Sequence, residues 1–152
     1  MLRLNFIIFC HLLISFQVSA FTNINDAYPS PKLKANEIVR LQLKAMQQND
    51  VNNRGIEVTF RFASPKNKIQ TGPLSNFIKL VNNPTYHHLL NHIEATFLDL
   101  KTDGSQAIQE VIIKTPKGIL KGFRFFLSVQ QGKTFKNCWM TDAVIPFDVL
   151  EV

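Results

Sequence analysis

The sequence predicts an α+β domain in which two or three N-terminal helices pack on a curved, four-stranded antiparallel meander. Apolar residues recur at intervals of three and four in the first half of the chain and at alternate positions in the second half. Short connections that contain glycine join the alternating segments, so consecutive strands must run antiparallel. The chain of 152 residues is 45% hydrophobic and 18% charged, which indicates one domain with a real core.

The N-terminus has the features of a secretory signal peptide over residues 1–20. Arg3 precedes an apolar run over 6–16, and Val18 and Ala20 occupy the small-residue positions that a signal peptidase requires. The run is shorter than the roughly 18–20 residues of a membrane span, and no other segment reaches that length. We therefore expect cleavage after Ala20 and no membrane span in the mature chain.

The residues after this cleavage site leave two destinations open. Phe21 follows Ala20 directly, which resembles the junction of two-part plastid-targeting leaders in algae with secondary plastids. Residues 21–34 contain one acid, Asp26, with hydroxylated residues and two lysines, as expected of a transit-like segment or a linker. The expectation is therefore import into a plastid through the secretory route, or else secretion or residence in the ER lumen.

Cysteine content bears on the destination of the chain, and the distribution of charge bears on nucleic-acid binding. Cys10 would leave with the signal, so Cys138 would be alone and no intramolecular disulfide could form, which favours an organelle over plain secretion. The net charge is +6 and falls to +5 without Arg3. The basic residues are spread along the chain and are not interleaved with aromatic ones, which indicates a solvated surface and no nucleic-acid binding.

An amphipathic helix is predicted over residues 35–48. Its apolar face consists of Ile38, Val39, Gln42, Leu43 and Met46. The polar stretch 49–55 ends it. Residues 56–62 then alternate in polarity as a strand does, yet a short helix over 54–63 fits them equally well, and periodicity leaves both open.

A polar connection is predicted over residues 64–72, and a further helix follows it after Gly72. Pro73 is expected at its first position, and Asn82-Asn83-Pro84 ends it. Its apolar face consists of Leu74, Phe77, Ile78 and Val81.

Four strands are predicted in the second half, over residues 92–100, 105–115, 119–130 and 134–145. Both faces of their sheet are apolar: Phe123 and Phe125 lie on one face of the third strand, and Leu120 and Phe126 on the other. The helices would cover one face. Because the second face is more apolar than a solvated antiparallel face, we expect another copy of the chain to cover it.

Three segments together resemble an uncharacterised bacterial and plant family, number four-eight-six-four among the domains of unknown function. These are "EIVRLQLKAMQQND" (37–50), "FRFASP" with the following "TGP" (60–73), and "CWMTD" (138–142), although Asn137 stands where the family has Gly. The family resembles the nuclear-transport-factor-2-like superfamily, which includes the SnoaL cyclases. The resemblance therefore implies a cone-like fold.

This resemblance also sets expectations for the domain and its location. It implies a single SnoaL-like domain over 35–147, with 148–152 as a tail. Plant members of the family are plastid-targeted, which favours the plastid for this chain. The resemblance brings no activity and no catalytic residues, and the cone fold serves enzymes, ligand binders and interaction modules alike.

Asp142 and Arg124 are candidate catalytic residues on the sheet. On an extended strand, Cys138, Met140 and Asp142 share a face, and a carboxylate on a concave sheet can act as a general base. Arg124 stands alone between two phenylalanines and could pair with Asp142, either in a site or as a structural cross-strand pair. Cys138 has no neighbouring base and is expected to be a small buried hydrophobe.

His92 is a third candidate base. It follows His88 by four residues and precedes Glu94, so acid–base chemistry or a metal site is conceivable. No third ligand is apparent, and the spacing differs from His-Glu-x-x-His, so no metal is predicted.

The connection over 64–72 and the only tryptophan supply candidate ligand-binding residues. The hydroxyls of Ser64 and Thr71, with Lys66 and Lys68, could hold an anionic group at the N-terminus of the helix after Gly72, although an ordinary capping loop has the same composition. Trp139 is the fifth candidate.

The sequence leaves two functions open. One is a non-catalytic, dimeric module that binds a small apolar ligand or a protein partner without a cofactor. The alternative is a SnoaL-type isomerase, cyclase or hydratase with Asp142 or His92 as the base. A pocket of a few hundred Å³ that contains one of these groups favours the enzyme, and an interior filled with Phe and Trp excludes it.

Overall fold

The computed structural model describes residues 23–149, so the predicted signal peptide, the predicted cleavage junction at Phe21 and the last three residues lie outside the described part. The fold is α+β, as predicted. Its helices are α1 (Ala35–Gln47), α2 (Arg54–Arg61), α3 (Pro65–Thr71) and α4 (Leu74–Val81). Its strands are β1 (Glu94–Phe97), β2 (Lys101–Thr102), β3 (Gln106–Lys114), β4 (Leu120–Val129) and β5 (Trp139–Phe147). No helix over 23–149 has the length and apolar character needed to cross a membrane.

The first half differs from the sequence prediction in one helix. The ambiguous segment is helical, as α2. The predicted polar connection over 64–72 is wrong, because most of it forms α3. Its start is capped by the Ser64 hydroxyl, which accepts a hydrogen bond from the Asn67 amide at 3.2 Å. Periodicity missed this helix because its one buried side chain, Asn67, is polar.

The sheet is antiparallel, in the order β1-β3-β4-β5, with the two residues of β2 pairing to β3. The strand predicted over 92–100 is shorter in the structure, as β1, and the two residues of β2 form a further strand directly after the predicted range. The last strand begins later than predicted. Residues 133–135 form a turn of 3-10 helix and Asn137 takes a left-handed conformation with φ of 63°, so pairing restarts only at Trp139.

The helices cover one face of this sheet, as predicted. Alternate residues of β3 and β4 point into the core, and α1 lies against β3, β4 and β5. The largest buried side chains are Ile38, Leu43, Met46, Ile56, Phe62, Ile113, Phe123, Phe125 and Leu127. The site described below lies between the helices and this face of the sheet.

The second sheet face, the outer face, is defined by Ile108, Glu110, Ile112, Arg124, Phe126 and Ile145. Glu110 lies opposite Arg124, and Arg124 Nε donates to Glu110 Oε1 at 2.7 Å. Arg124 is therefore not the partner of Asp142 that the sequence allowed. Its direct neighbour on β5 is Ile145, since Asp142 lies farther along that strand.

Candidate functional site

A cavity of about 200 Å³ lies between the helices and the inner face of the sheet. Its walls are mainly apolar and include Met46, Phe77, Leu80, Leu89, Phe125 and Val144. Asp142 is the one charged residue among those that line it within 23–149. The interior is thus not filled by aromatic side chains, and it retains space for a small molecule.

A buried hydrogen-bond network forms one side of the cavity. The Thr141 hydroxyl donates to Gln42 Oε1 at 2.7 Å, and Gln42 Nε2 donates to the Thr59 carbonyl at 3.1 Å. The Thr59 hydroxyl returns a hydrogen bond to the Gln42 carbonyl at 3.2 Å. These three side chains are at most 4% exposed. The network therefore joins α1, α2 and β5 around a satisfied polar core.

The main chain of Thr141 extends the network to α3. Its carbonyl accepts from the Ser64 amide at 2.8 Å and from Asn67 Nδ2 at 3.1 Å, and its amide donates to the Phe62 carbonyl at 2.9 Å. Ala63 and Thr141 form a parallel bridge. The "FASP" and "CWMTD" segments are thus in direct contact, although 74 residues separate Asn67 from Thr141.

We predict that Thr141→Val lowers the free energy of unfolding by about 1–3 kcal/mol, because it leaves the buried Gln42 oxygen without its donor. Gln42→Leu should have a similar cost. The double variant should lose less free energy of unfolding than the two single variants together. In the double variant neither substitution leaves a buried partner without its hydrogen bond. Urea unfolding of the four proteins measures this coupling. Strictly additive costs would show that the hydroxyl and the amide do not depend on each other.

Asp142 lies beside this network, at the edge of the cavity. The pairing of β4 with β5 shifts there: Leu127 pairs with Thr141 and Phe126 with Ala143, so Asp142 is the extra residue of a β-bulge. The predicted shared face of Met140 and Asp142 is wrong for this reason, because Thr141 and Asp142 both line the cavity. Over 23–149 the Asp142 carboxylate makes neither an ion pair nor a hydrogen bond.

His92 lies outside the cavity. It is 4% exposed, and its Nδ1–H donates to the Leu89 carbonyl at 2.8 Å. Burial lowers the pKa of His92, the Leu89 hydrogen bond partly opposes this, and the charge of Lys44 lowers it further. The arrangement suits a neutral, structural imidazole more than a general base.

The described residues contain no group of three or more His, Cys, Asp or Glu arranged to hold a metal ion. His88, the possible companion ligand of His92, lies in a separate depression with Lys121 and Phe147.

We expect acid to destabilise the fold through His92. Its folded pKa lies below the ordinary value of 6.5, so the unfolded state binds more protons as the pH falls through 6.5. The contribution of His92 to the stability of the fold is complete above pH 6.5. It is lost as the pH falls toward the lower pKa of His92 in the folded state. Urea unfolding from pH 7.5 to 5 should show a smaller loss for His92→Gln than for wild type. If wild type and His92→Gln lose the same stability between pH 7.5 and 5, groups other than His92 cause the pH dependence.

Among the five candidate ligand-binding residues, the structure brings only Thr71 to the cavity. Ser64 is fully buried and caps α3. Lys66 is exposed, and Lys68 Nζ donates to the Arg61 carbonyl at 3.3 Å. Trp139 packs against the core. The expected anion-binding group at the start of α4 is not assembled, because helix formation in α3 directs Ser64 and Lys68 to protein partners.

Cys138 is buried, as predicted. Burial raises the pKa of its thiol, so the protonated form predominates at neutral pH.

Sequence reasoning missed Gln42, Thr59 and Asn67 as parts of the site. One signal was present for Gln42, since a polar residue stood within the apolar face of a predicted helix. Thr59 and Asn67 carried no such signal, because their partners lie far away in the sequence.

Fold and cavity together define an α+β domain whose helices and sheet enclose a small, mainly apolar site. The profile of the family described as Domain of unknown function (DUF4864) matches residues 30–147, and the chain belongs to that family. This confirms the resemblance seen in the sequence. No curated protein and no solved structure matches the chain, so the likeness to the SnoaL-like superfamily stays a prediction.

Proposed function

We propose that this domain is a non-catalytic module that binds one small apolar ligand in the cavity. The observation that supports the proposal is the combination of apolar walls with a few polar groups on one side, as in most small-molecule sites. An engineered apolar cavity of about 150 Å³ binds benzene. A cavity of about 200 Å³ therefore suits a single ring or a short chain with one polar group.

Blocking the cavity tests this proposal. Leu80 lines the cavity, and Leu80→Trp should fill part of it; Ile69→Trp adds the same side chain at an exposed position of α3 that does not line it. We expect a single-ring probe such as benzyl alcohol to shift cavity signals in the NMR spectrum of wild type and Ile69→Trp. Leu80→Trp should lose this response. An equal response from all three folded proteins would contradict binding in the cavity.

An isomerase, cyclase or hydratase is a second candidate, and Asp142 favours it. A carboxylate without a protein partner at an apolar cavity can serve as a general base. Both candidates predict ligand binding, and they differ in turnover. A substrate consumed by wild type and bound but not consumed by Asp142→Asn would establish the enzyme. A ligand that stays chemically unchanged on prolonged incubation supports the binding module.

We also propose that a second copy of the chain covers the outer face. The Glu110–Arg124 pair lies at its centre, surrounded by Ile108, Ile112 and Phe126. A two-fold axis near this pair would bring Glu110 of one copy toward Arg124 of the other, so the face complements itself in charge. Ile145 is 49% exposed there, and burying such side chains would stabilise a dimer.

Analytical ultracentrifugation measures the oligomeric state. We expect a dimer at micromolar concentration for wild type and for Ile69→Glu, and a monomer for Ile145→Glu. Wild type that sediments only as a monomer would overturn the proposed dimer.

Import into a plastid through the secretory route remains our proposal for localisation. A fluorescent protein fused after residues 1–40 should enter the plastid of an alga with secondary plastids. Changing Phe21 to Ala should divert it to the secretory route, because the aromatic residue at the cleavage site would be missing. Secretion of the unchanged fusion would favour the alternative.

A further inference from the structure

We propose that the cavity ligand is a small ammonium ion, a primary amine on one ring or a short chain, whose cationic group binds at Asp142. This inference rests on the proposed binding function and names the class of ligand. Two observations support it. The hydroxyl groups that line the cavity donate their protons to protein oxygens, and the one charged group of the lining within 23–149 is the Asp142 carboxylate, which has no partner there.

Within 23–149, four hydroxyl groups line the cavity, and all of them donate to protein oxygens. Thr71 donates to the Asn67 carbonyl at 3.0 Å and Tyr86 to the Val144 carbonyl at 3.1 Å, while the Thr59 hydroxyl shares its one proton between the Gly55 carbonyl at 2.9 Å and the Gln42 carbonyl at 3.2 Å. Thr141 donates to Gln42, as described above. Since a hydroxyl has one proton, these groups can only accept a hydrogen bond from a ligand. The amides of Gln42 and Asn67 direct one N–H each at a backbone carbonyl and keep the second, and Gln70, which also lines the cavity, adds a third amide.

The hydroxyl groups of the cavity are therefore open only as acceptors, the amides still offer N–H donors, and the one charged side chain of the lining within 23–149 is Asp142. The Asp142 carboxylate has no partner within 23–149, and the oxygen of Tyr86 keeps its lone pairs. A primary ammonium has three donors and no acceptor, which matches the Asp142 carboxylate and the hydroxyl oxygens. A carboxylate or phosphate ligand would instead meet Asp142 with like charge.

Aromatic side chains add to the preference for a cation. The rings of Phe77 and Tyr86 line the same cavity as Asp142. The face of such a ring attracts an ammonium group, and its body accommodates an apolar one. The net charge of +6 opposes a cation only at long range, because salt screens charges beyond about 8 Å under physiological conditions.

Three probes of similar size test the charge of the ligand: benzylamine, benzyl alcohol and benzoate. Affinities are measured by NMR titration at neutral pH on wild type, Asp142→Asn and the control Asp99→Asn, which removes an exposed carboxylate away from the cavity. We expect wild type to bind benzylamine at least about tenfold more tightly than benzyl alcohol, as a charge-assisted hydrogen bond allows. Asp142→Asn should abolish this difference, and Asp99→Asn should retain it.

The outcomes separate this inference from the proposed function. Equal binding of benzylamine and benzyl alcohol in the cavity of wild type would overturn the ammonium ligand and leave a neutral-ligand module. Tightest binding of benzoate would overturn it in favour of an anion. A preference for benzylamine that survives in Asp142→Asn would place the cation elsewhere and also overturn it. Absence of binding by all three probes would count against both proposals.

Discussion

Gly55→Ala is expected to lower the free energy of unfolding by about 3 kcal/mol, at the upper end of the cost of overpacking. A Cβ at Gly55 would lie 2.1 Å from the Ala45 carbonyl oxygen and 3.0 Å from Asn49 Cα. Both contacts are with backbone, so no change of rotamer can relieve them. The start of α2 would have to move away from α1, against which it packs in the native fold.

This movement would also reach the cavity. The pairing of Gln42 with Thr59 crosses from α1 to α2, so separation of the helices should lengthen both of its hydrogen bonds. We therefore expect any small-molecule binding by the Gly55→Ala protein to weaken together with its stability. Neighbouring Ile56, fully buried in the same helix, would shift with the backbone.

Urea unfolding followed by circular dichroism measures the effect, with Gly132→Ala as the control. At Gly132 a Cβ meets nothing within 4 Å, and its φ of −67° suits any residue. The control should change stability by no more than about 0.5 kcal/mol. Similar stability of the two variants would mean that α1 and α2 can separate in solution at little cost.

The helices and the sheet could be predicted from the sequence where apolar periodicity is strong. Residues 35–48 show it, and α1 forms there. The same signal failed for α3, whose contacts with the rest of the fold are made through Asn67 and the capping hydroxyl of Ser64. Such hydrogen bonds produce no periodic pattern of apolar residues in the sequence. The one indication of the helix was the cap and first residue at its start, Ser64-Pro65.

The candidate site was harder to predict than the fold, for a geometric reason. Asp142 was singled out by its chemistry, but its orientation depends on a bulge that alternation along a strand cannot reveal. Its expected partner was wrong for a related reason. Residues on neighbouring strands meet according to register, and register placed Arg124 opposite Glu110. His92 was chosen for its spacing from His88 and its closeness to Glu94, and in the fold its Nδ1 is occupied by the hydrogen bond to the Leu89 carbonyl.

Phe125→Ala is expected to lower the free energy of unfolding by about 3–5 kcal/mol, the usual cost of removing a buried phenylalanine ring. Phe125 is 1% exposed and forms part of the cavity wall on β4. The substitution removes packing and leaves a void joined to an existing space, so the surrounding side chains can close it only in part. Thermal unfolding should show a large loss in transition temperature. A loss no greater than that of an exposed substitution would mean that the core closes over the missing ring.

The same variant should change the size of ligand that the domain prefers. Wild type, with about 200 Å³, should bind benzylamine in preference to 1-naphthylmethylamine. In Phe125→Ala the void left by the ring extends the cavity, so the order should reverse. Because a ligand that binds only the folded state raises stability by mass action, the larger amine should also restore more of the lost transition temperature. An unchanged order of affinity, measured by NMR titration, would show that the ligand does not contact the Phe125 wall. The ring would then serve the core alone, and the binding site would have to lie toward Asp142 and the edge of the cavity.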